Sequence, residues 1–193
     1  MKTKTKALVL SLCALLLVVT SVFVTMAFLT SQDSVTNTFT VGKVEITLDE
    51  AKVTEYGVEV EGVARVKGNQ YKLIPGHTYV KDPTIHVSDT SEDCYLFVKI
   101  ENGLGADAQI SGLDTNGWKL VEGTTDVYCY CGNGTEKQIV QAGSDKKVFD
   151  QFTFGEKAEP SSHQTHEIKV TAYAIQADGF EQDTVAEIWA QFK

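Results

Sequence analysis

Histidine and cysteine are the residues of this chain whose types and spacing could do chemistry. The four histidines are His77, His86, His163 and His166, and the last two have the spacing His-x-x-His within "HQTH". Catalytic zinc needs three protein ligands and an open position, and no H-E-x-x-H adds a general base to two ligands. We therefore predict solvated loop histidines and no metal site. A metal-dependent protease that uses His163 and His166 is the alternative.

Three cysteines, Cys94, Cys129 and Cys131, follow the N-terminal region. One disulfide from Cys94 to Cys129 or Cys131 is an expectation if the protein is exported, because disulfides persist in oxidising compartments. Three buried or free thiols are the other expectation. A bridge within "CYC" would be strained, because residues i and i+2 of a strand point to the same face. The chain has no G-x-S-x-G or P-loop motif, so we predict no catalytic residues and no enzyme.

Two acidic clusters could bind Ca²⁺ weakly. They are Asp89, Glu92 and Asp93 in "SDTSED", and Asp178, Glu181 and Asp183 in "DGFEQD". Neither cluster has the ordered oxygen spacing of a dedicated calcium loop. We therefore predict solvated turn charges and no cofactor, with weak Ca²⁺ binding as the exception.

The elements that must position these residues are mostly strands. Apolar and polar residues alternate in "EYGVEVEG", "CYLFVKIE", "VFDQFTF" and "HEIKVTAYAIQA", with turn signals such as "IPGH" and "ADGF" between strands. In "CYLFVKIE" the alternation places Cys94, Leu96, Val98 and Ile100 on one face. The pattern predicts an all-β fold, a jelly-roll-like antiparallel β-sandwich.

One short helix is predicted at the C-terminus. Its apolar stripe in "DTVAEIWAQF" consists of Val185, Ile188, Trp189 and Phe192. Thr184 and Glu187 have the spacing of a capping box at the start of the helix. We expect the helix to pack on the body of the sandwich.

Residues 1–27 have the features of a signal peptide. "MKTKTK" supplies positive charge, and the uncharged stretch that follows can cross a bilayer, which takes about 20 apolar residues. Thr25 and Ala27 suit a cleavage site that would cut between Ala27 and Phe28, with Met26 between them. A retained N-terminal anchor is the alternative. Either interpretation predicts export to the cell surface or beyond, and with a cleaved signal the chain contacts the membrane only before cleavage.

The charge of the remaining chain excludes some partners. Three of the 17 basic residues and none of the 26 acidic residues lie in 1–27, which leaves 14 against 26, a net charge of −12. Nucleic acids select basic surfaces, so we expect no nucleic-acid partner. A charge of this size favours solubility and mutual repulsion between copies.

The N-terminal strand pattern changes phase at Gly42. Val35, Phe39 and Val41 alternate on odd positions, whereas Val44, Ile46 and Leu48 alternate on even positions. Glycine tolerates the backbone angles of a bulge or bend, so a kink at Gly42 accounts for the slip. We therefore divide the chain into a signal peptide (1–27), an N-terminal strand segment (28–42) and a β-sandwich domain (43–193).

Three blocks resemble the TasA/camelysin family of exported proteins. They are "AFLTSQDSVTNTFTVGKVEITLDEA", "NQYKLIPGHTYVKDPTIHV" and "SEDCYLFVKIEN", and the similarity continues in "KKVFDQFTF" and "IKVTAYAIQADGF". The resemblance implies processing by a SipW-type signal peptidase and secretion from a Gram-positive bacterium. It also implies a jelly-roll subunit of extracellular biofilm-matrix fibres.

The resemblance further implies how subunits would join. The segment from Phe28 to Val41 would be donated to a groove of the next copy, with Val35, Asn37, Phe39 and Val41 in the donor strand. Such a head-to-tail contact does not close on itself and propagates as a pilus-like filament. The two alternatives are a camelysin-like cell-surface metalloprotease, whose zinc pattern this chain lacks, and a monomeric surface-binding module.

Overall fold

The computed structural model describes residues 30–33, 44–159 and 166–193, with the backbone alone considered for 30–33. In those ranges the protein has eleven strands, a 3₁₀ helix at Gly105–Asp107 and one α-helix, α1 (Val185–Ala190). The strands are β1 (Thr30–Asp33), β2 (Ile46–Asp49), β3 (Thr78–Val80), β4 (Thr84–Val87), β5 (Cys94–Asn102), β6 (Ala108–Ser111), β7 (Trp118–Leu120), β8 (Val127–Tyr130), β9 (Asp145–Lys147), β10 (Gln151–Phe154) and β11 (Ile168–Gln176).

The strands form three sheets in which every strand pair is antiparallel. The large sheet has the order β1-β11-β5-β8-β7, and two small sheets have the orders β3-β10-β6 and β2-β4-β9. The longest pairing joins β5 and β11 over nine residues, from Ile168 opposite Asn102 to Gln176 opposite Cys94. The predicted all-β sandwich is therefore confirmed.

The inner core lies between the large sheet and the β2-β4-β9 sheet. Alternate residues of β5, β11 and β2 point into it, as the period-two pattern predicts. Its fully buried members from these strands include Ile46, Cys94, Leu96, Val98, Ala172 and Ala174. The even-numbered phase predicted for Val44, Ile46 and Leu48 is also confirmed, since all three are buried in this core.

The opposite face of the large sheet is covered by α1. Tyr95 and Phe97 of β5 pack there with Ile188 and Trp189 of the helix. Thr184 accepts a hydrogen bond from the Glu187 backbone N–H, and the Glu187 side chain accepts one from the Thr184 N–H. The predicted capping box and apolar stripe are thus confirmed. Because α1 covers this face, β5 is buried on both sides over residues 94–98.

One predicted strand is wrong. The segment "EYGVEVEG" forms a tight turn with a single β-bridge between Val53 and Glu59, and Val58 is 62% exposed. Gly57 has φ +75°, and a Cβ there would stand 2.7 Å from the Cα of Tyr79. The close approach to Tyr79 bends the segment, so alternation in the sequence does not become a paired strand.

The segment "VFDQFTF" also differs from a single strand. The chain leaves β9 at Lys147 and enters β10 at Gln151, and these strands belong to different sheets. Val148 and Phe149, in the crossing, are both fully buried. The predicted apolar positions Phe152 and Phe154 are buried in a third cluster with Tyr79.

Candidate functional site

The outer edge of β11, on the side away from β5, is the candidate site of this fold. β5 occupies one side of β11 over its whole length, and β1 occupies the other side over Ala172–Ile175 only. In the part of the chain that the structure describes, β1 is the strand that pairs with that side. Among the described residues, no strand pairs with this side of β11 over its first half, from Ile168 to Thr171. An unpaired strand edge is a template for strand addition.

A groove runs beside that half of β11. It encloses a cavity of about 970 Å³ whose walls include Ile168 and Val170 of β11 and Leu48 of β2. Leu104 and Phe152 also line it. β2 is itself the edge strand of its sheet, so the groove lies between two sheet edges. Apolar side chains and neighbouring backbone edges are the features that bind an extended peptide.

β1 lies within the segment predicted to be a donor strand. Its register pairs Thr30 with Ile175 and Asp33 with Ala172 of the same chain. The other predicted donor positions (Val35, Asn37, Phe39 and Val41), the predicted kink at Gly42 and the predicted cleavage residues (Thr25, Met26, Ala27 and Phe28) lie outside the described residues. Those predictions stay predictions.

The described histidines have different surroundings. His77 Nε2 lies 2.9 Å from the carbonyl oxygen of Tyr56, and His77 stacks edge-on against Tyr79. His166 is exposed at the mouth of the groove. His163 lies outside the described ranges, so the proposed His163 and His166 pair has no described geometry. Among the residues that the structure describes, no group of three His, Cys, Asp or Glu side chains could hold a metal ion.

His86 lies in a cluster of charged side chains on the β2-β4-β9 sheet. Its Nδ1 lies 2.7 Å from Asp145 Oδ1, and its Nε2 lies 3.0 Å from Asp49 Oδ1. Arg65 donates to both Asp49 and Asp82, the latter at 2.9 Å. Burial alone would lower the pKa of His86, but the hydrogen bonds to Asp49 and Asp145 outweigh burial and raise it.

The same contacts lower the pKa of Asp49. Burial would raise that pKa, but hydrogen bonds from Arg65 and His86 favour the carboxylate more strongly. The cluster is an ion-pair network that ties three strands together. Each charged group in it has an oppositely charged partner, as in a structural network.

The three cysteines are buried, free thiols, so the predicted disulfide from Cys94 is not formed. Cys94 belongs to the inner core, whereas Cys129 and Cys131 belong to the cluster under α1 on the other face of the sheet. Burial, together with the charge of Asp93, raises the pKa of Cys94 to about 12. The hydrogen bond with Cys131 and burial raise the pKa of Cys129, and the same bond lowers that of Cys131.

Residues of the two acidic clusters form hydrogen bonds with nearby groups of the fold. Asp93 accepts from the Ala142 N–H at 3.3 Å, and the Glu181 carboxylate accepts from the Gly179 N–H at 3.1 Å. Lys137 donates to the backbone carbonyl oxygens of Glu181 and Asp183. These contacts are typical of solvated turns.

Comparison of the chain with protein-family models, with curated proteins and with solved structures finds no match. The resemblance described above therefore rests on the sequence motifs alone. The described part of the chain also contains no helix with the length and hydropathy that a membrane crossing requires.

The edge of β11 is the part of the candidate site that sequence reasoning missed. The pattern of "HEIKVTAYAIQA" correctly places Val170, Ala172 and Ala174 on the core face. The pattern does not predict that β11 lies next to the sheet edge, because the pairing of β11 with β1 joins residues about 140 positions apart in the chain.

Proposed function

We propose that this protein is a secreted structural subunit that polymerises by donor-strand exchange into extracellular fibres. The observation that carries the proposal is the pairing of an N-terminal strand, β1, with the outer edge of β11. β1 precedes the first strand of the inner core, β2, and residues 34–43 separate the two. A segment outside the domain's core strands therefore supplies an edge strand that another copy could also supply.

The register of β1 supports the predicted orientation of a donated strand. A donor that continued the pairing of Asp33 with Ala172 would bring Val35 opposite Val170 and Asn37 opposite Ile168. Directly opposed residues of an antiparallel pair lie on the same face. Val170 packs in the inner core, so Val35 would enter the groove from that face. The groove has the apolar walls that such a side chain needs.

A shift from pairing within one chain to pairing between chains would create the filament. The same backbone hydrogen bonds form in both cases, so the two states differ mainly in the path of residues 34–43. Donation to the next copy leaves the donor's own β11 edge open for the previous copy. This heterologous contact propagates without closing. The predicted signal cleavage would release the donor segment from the membrane and so permit assembly.

The test compares two forms of the protein by electron microscopy and light scattering. One begins at Phe28 and the other at Lys43, so that only the first has the strand segment. We expect the Phe28 form to make filaments and the Lys43 form to stay monomeric. The Lys43 form should also bind a synthetic peptide of residues 28–42, with added hydrogen-exchange protection in β11. A peptide with Val35→Asp is the matched control and should bind at least tenfold more weakly.

Equal behaviour of the two forms would contradict the proposal, whether both polymerise or both stay monomeric. Failure of the peptide to bind the Lys43 form would contradict the role of the β11 edge.

A monomeric surface-binding module is the second candidate, and a specific observation favours it. In the structure β1 pairs with β11 of its own chain, which is the arrangement expected of a self-complemented monomer. The two candidate functions predict different behaviour for the form that begins at Phe28. A protein that stays monomeric at high concentration, with β11 protected from hydrogen exchange, supports the module and excludes the fibre.

A further inference from the structure

A buried carboxylate lies between a lysine and an asparagine in the wall of the groove. Glu50 is 4% exposed. Its Oε2 accepts a hydrogen bond from Lys81 Nζ at 2.5 Å, and its Oε1 accepts one from Asn69 Nδ2 at 3.0 Å. One carboxylate thus holds an amine and a carboxamide side by side.

Different parts of the fold supply the three residues. Glu50 follows β2 and forms a β-bridge with Val66, Asn69 follows that bridge, and Lys81 follows β3. The backbone N–H groups of Glu50 and Val66 bond to each other's carbonyl oxygens at 2.8 Å. These bonds fix the start of the segment 50–77, which leaves β2 and returns to β3.

We propose that Lys81 and Asn69 become joined by an intramolecular amide bond, with Glu50 as the catalytic residue. The reaction links Nζ of Lys81 to Cγ of Asn69 and releases ammonia. It needs no cofactor and no oxidant, because the carboxamide is already an acyl donor. Its requirements are a nearby unprotonated amine, a polarised carbonyl and an acid for the leaving group.

Glu50 is placed to move the protons. It takes a proton from the Lys81 ammonium through Oε2, which turns the ion pair into a neutral amine and a carboxylic acid. The lone pair of Nζ then attacks Cγ of Asn69, and the carbonyl electrons move to Oδ1. Glu50 next gives a proton to Nδ2 through Oε1, and the Cγ–Nδ2 bond breaks.

The atoms balance without another reactant. Of the protons on the Lys81 ammonium, one stays on the new amide, one completes the departing ammonia, and one converts that ammonia to ammonium ion. No group is oxidised or reduced.

The surroundings of Asn69 favour attack at its carbonyl. The Val53 backbone N–H donates to Asn69 Oδ1 at 3.0 Å, where negative charge develops during the attack. Nδ2 also donates to the Ala51 carbonyl oxygen at 2.8 Å, which fixes the orientation of the carboxamide. The catalytic carboxylate and the oxyanion donor are therefore both in place around one amide.

The side chains around the pair limit contact with water. The side chains of Lys81 and Glu50 are 11% and 5% exposed. Tyr71 lies beside them, with its hydroxyl donating to the Val80 carbonyl oxygen at 3.0 Å. Burial, with the charge of Glu50 next, raises the pKa of Tyr71, so its phenol stays protonated. Low local polarity strengthens each hydrogen bond of the cluster.

Intact mass of the purified, folded protein tests the proposal directly. We expect a mass lower than that of the sequence by one ammonia. Digestion followed by tandem mass spectrometry should give a branched peptide that joins Lys81 to Asn69. Succinimide formation at Asn–Gly pairs, such as Asn102–Gly103 or Asn116–Gly117, also releases ammonia. The branched peptide distinguishes the two reactions.

Variants assign the roles of the three residues. Lys81→Arg keeps a positive charge beside Glu50 but has no primary amine, and Glu50→Gln keeps the shape without the base. Both should have the full mass. The matched control is Lys67→Arg: Lys67 lines the same cavity but donates to the Leu48 carbonyl oxygen, so this variant should still lose ammonia.

The uncrosslinked variants should also unfold at a lower temperature. The bond closes the loop 69–81, and closing a loop of this size removes denatured-state entropy, so we expect a Tm lower by roughly 5–10 °C. The Lys67→Arg control should keep the Tm of the natural protein within about 2 °C.

Full mass in the natural protein, with separate Lys81 and Asn69 peptides, overturns the proposal and leaves an ordinary buried ion pair. This result needs no variant, so a misfolded Glu50→Gln protein does not affect it. Loss of ammonia that persists in Lys81→Arg, without a succinimide at an Asn–Gly pair to account for it, also overturns it. The outcome is independent of the fibre proposal, because the mass is read on single chains.

Discussion

His86 connects three strands through its two ring nitrogens. Both partners, Asp49 on β2 and Asp145 on β9, are carboxylates. Carboxylates only accept hydrogen bonds, so both nitrogens can donate only when the imidazole is protonated. The raised pKa of His86 follows from this arrangement. Arg65 forms ion pairs with Asp49 and with Asp82 beside the histidine.

We predict that His86 makes the stability of the protein depend on pH near neutrality. A folded-state pKa above the ordinary value of 6.5 means that the His86 contribution is complete below pH 6.5. The contribution is then lost as the pH rises through the folded pKa. The loss should be at most about 1 kcal/mol, because water reaches part of the side chain and screens the pairs.

Urea unfolding between about pH 5.5 and 8.5 measures this effect against the His86→Gln variant. The difference in unfolding free energy between the two proteins should shrink as the pH rises. His77, His163 and His166 are present in both proteins, so the comparison isolates His86. A difference that stays constant, or grows with pH, would contradict the prediction.

At the scale of elements, α1 determines whether the large sheet is covered on its second face. The helix is only six residues long, and helices this short are unstable alone. It holds its place through the cap at Thr184 and through Ile188 and Trp189 on the sheet. The aromatic contacts of Phe97 and Tyr173 with Trp189 have centroid separations of 5.8 Å and 5.0 Å. The cap and the packing therefore depend on each other.

Removing the cap should loosen α1. We predict that Thr184→Ala lowers the unfolding free energy by about 1 kcal/mol, because the Glu187 N–H loses its acceptor. Thr184→Ser keeps a hydroxyl oxygen and should cost less than about 0.5 kcal/mol. Urea titration followed by circular dichroism gives both values. Equal losses in the two variants would show that the methyl group of Thr184, and not its oxygen, is responsible.

At the scale of the whole molecule, charge opposes the proposed assembly. The chain after residue 27 has a net charge of −12, so copies repel one another before strand exchange can begin. The backbone hydrogen bonds and apolar contacts of an inserted strand must exceed this repulsion. Repulsion between surfaces acts over the Debye length, whereas the strand contacts do not depend on it.

Salt should therefore accelerate filament growth. Raising the salt from about 0.01 M to 0.1 M shortens the Debye length from roughly 30 Å to 10 Å, so we predict faster growth of the Phe28 form. Light scattering over time measures the rate. The Lys43 form lacks the donor segment but has nearly the same charge, so it should remain monomeric at both salt concentrations. Slower growth at the higher concentration would contradict a repulsion-limited assembly.

Local patterns in the sequence determined much of the fold. The alternation in residues 94–100 and 168–174 predicts which side chains enter the inner core, because a strand turns successive residues to opposite faces. The spacing of Thr184 and Glu187 predicts the helix start, because both partners of a capping box lie within one turn. In each case the interacting residues are neighbours in the chain, so their types and spacing are sufficient.

The pairing of β1 with β11 and the meeting of Glu50, Asn69 and Lys81 were decided only by the tertiary structure. Alternation predicts that a strand forms but not which strand pairs with it, because every half-buried strand has the same backbone N–H and C=O groups. In the same way, the residues of "EYGVEVEG" alternate but form a turn with one β-bridge instead of a strand, because Gly57 must approach Tyr79. Which residues meet over long range depends on how the sheets pack against each other. That packing is selected by the summed burial of all core side chains, which no short stretch of sequence shows.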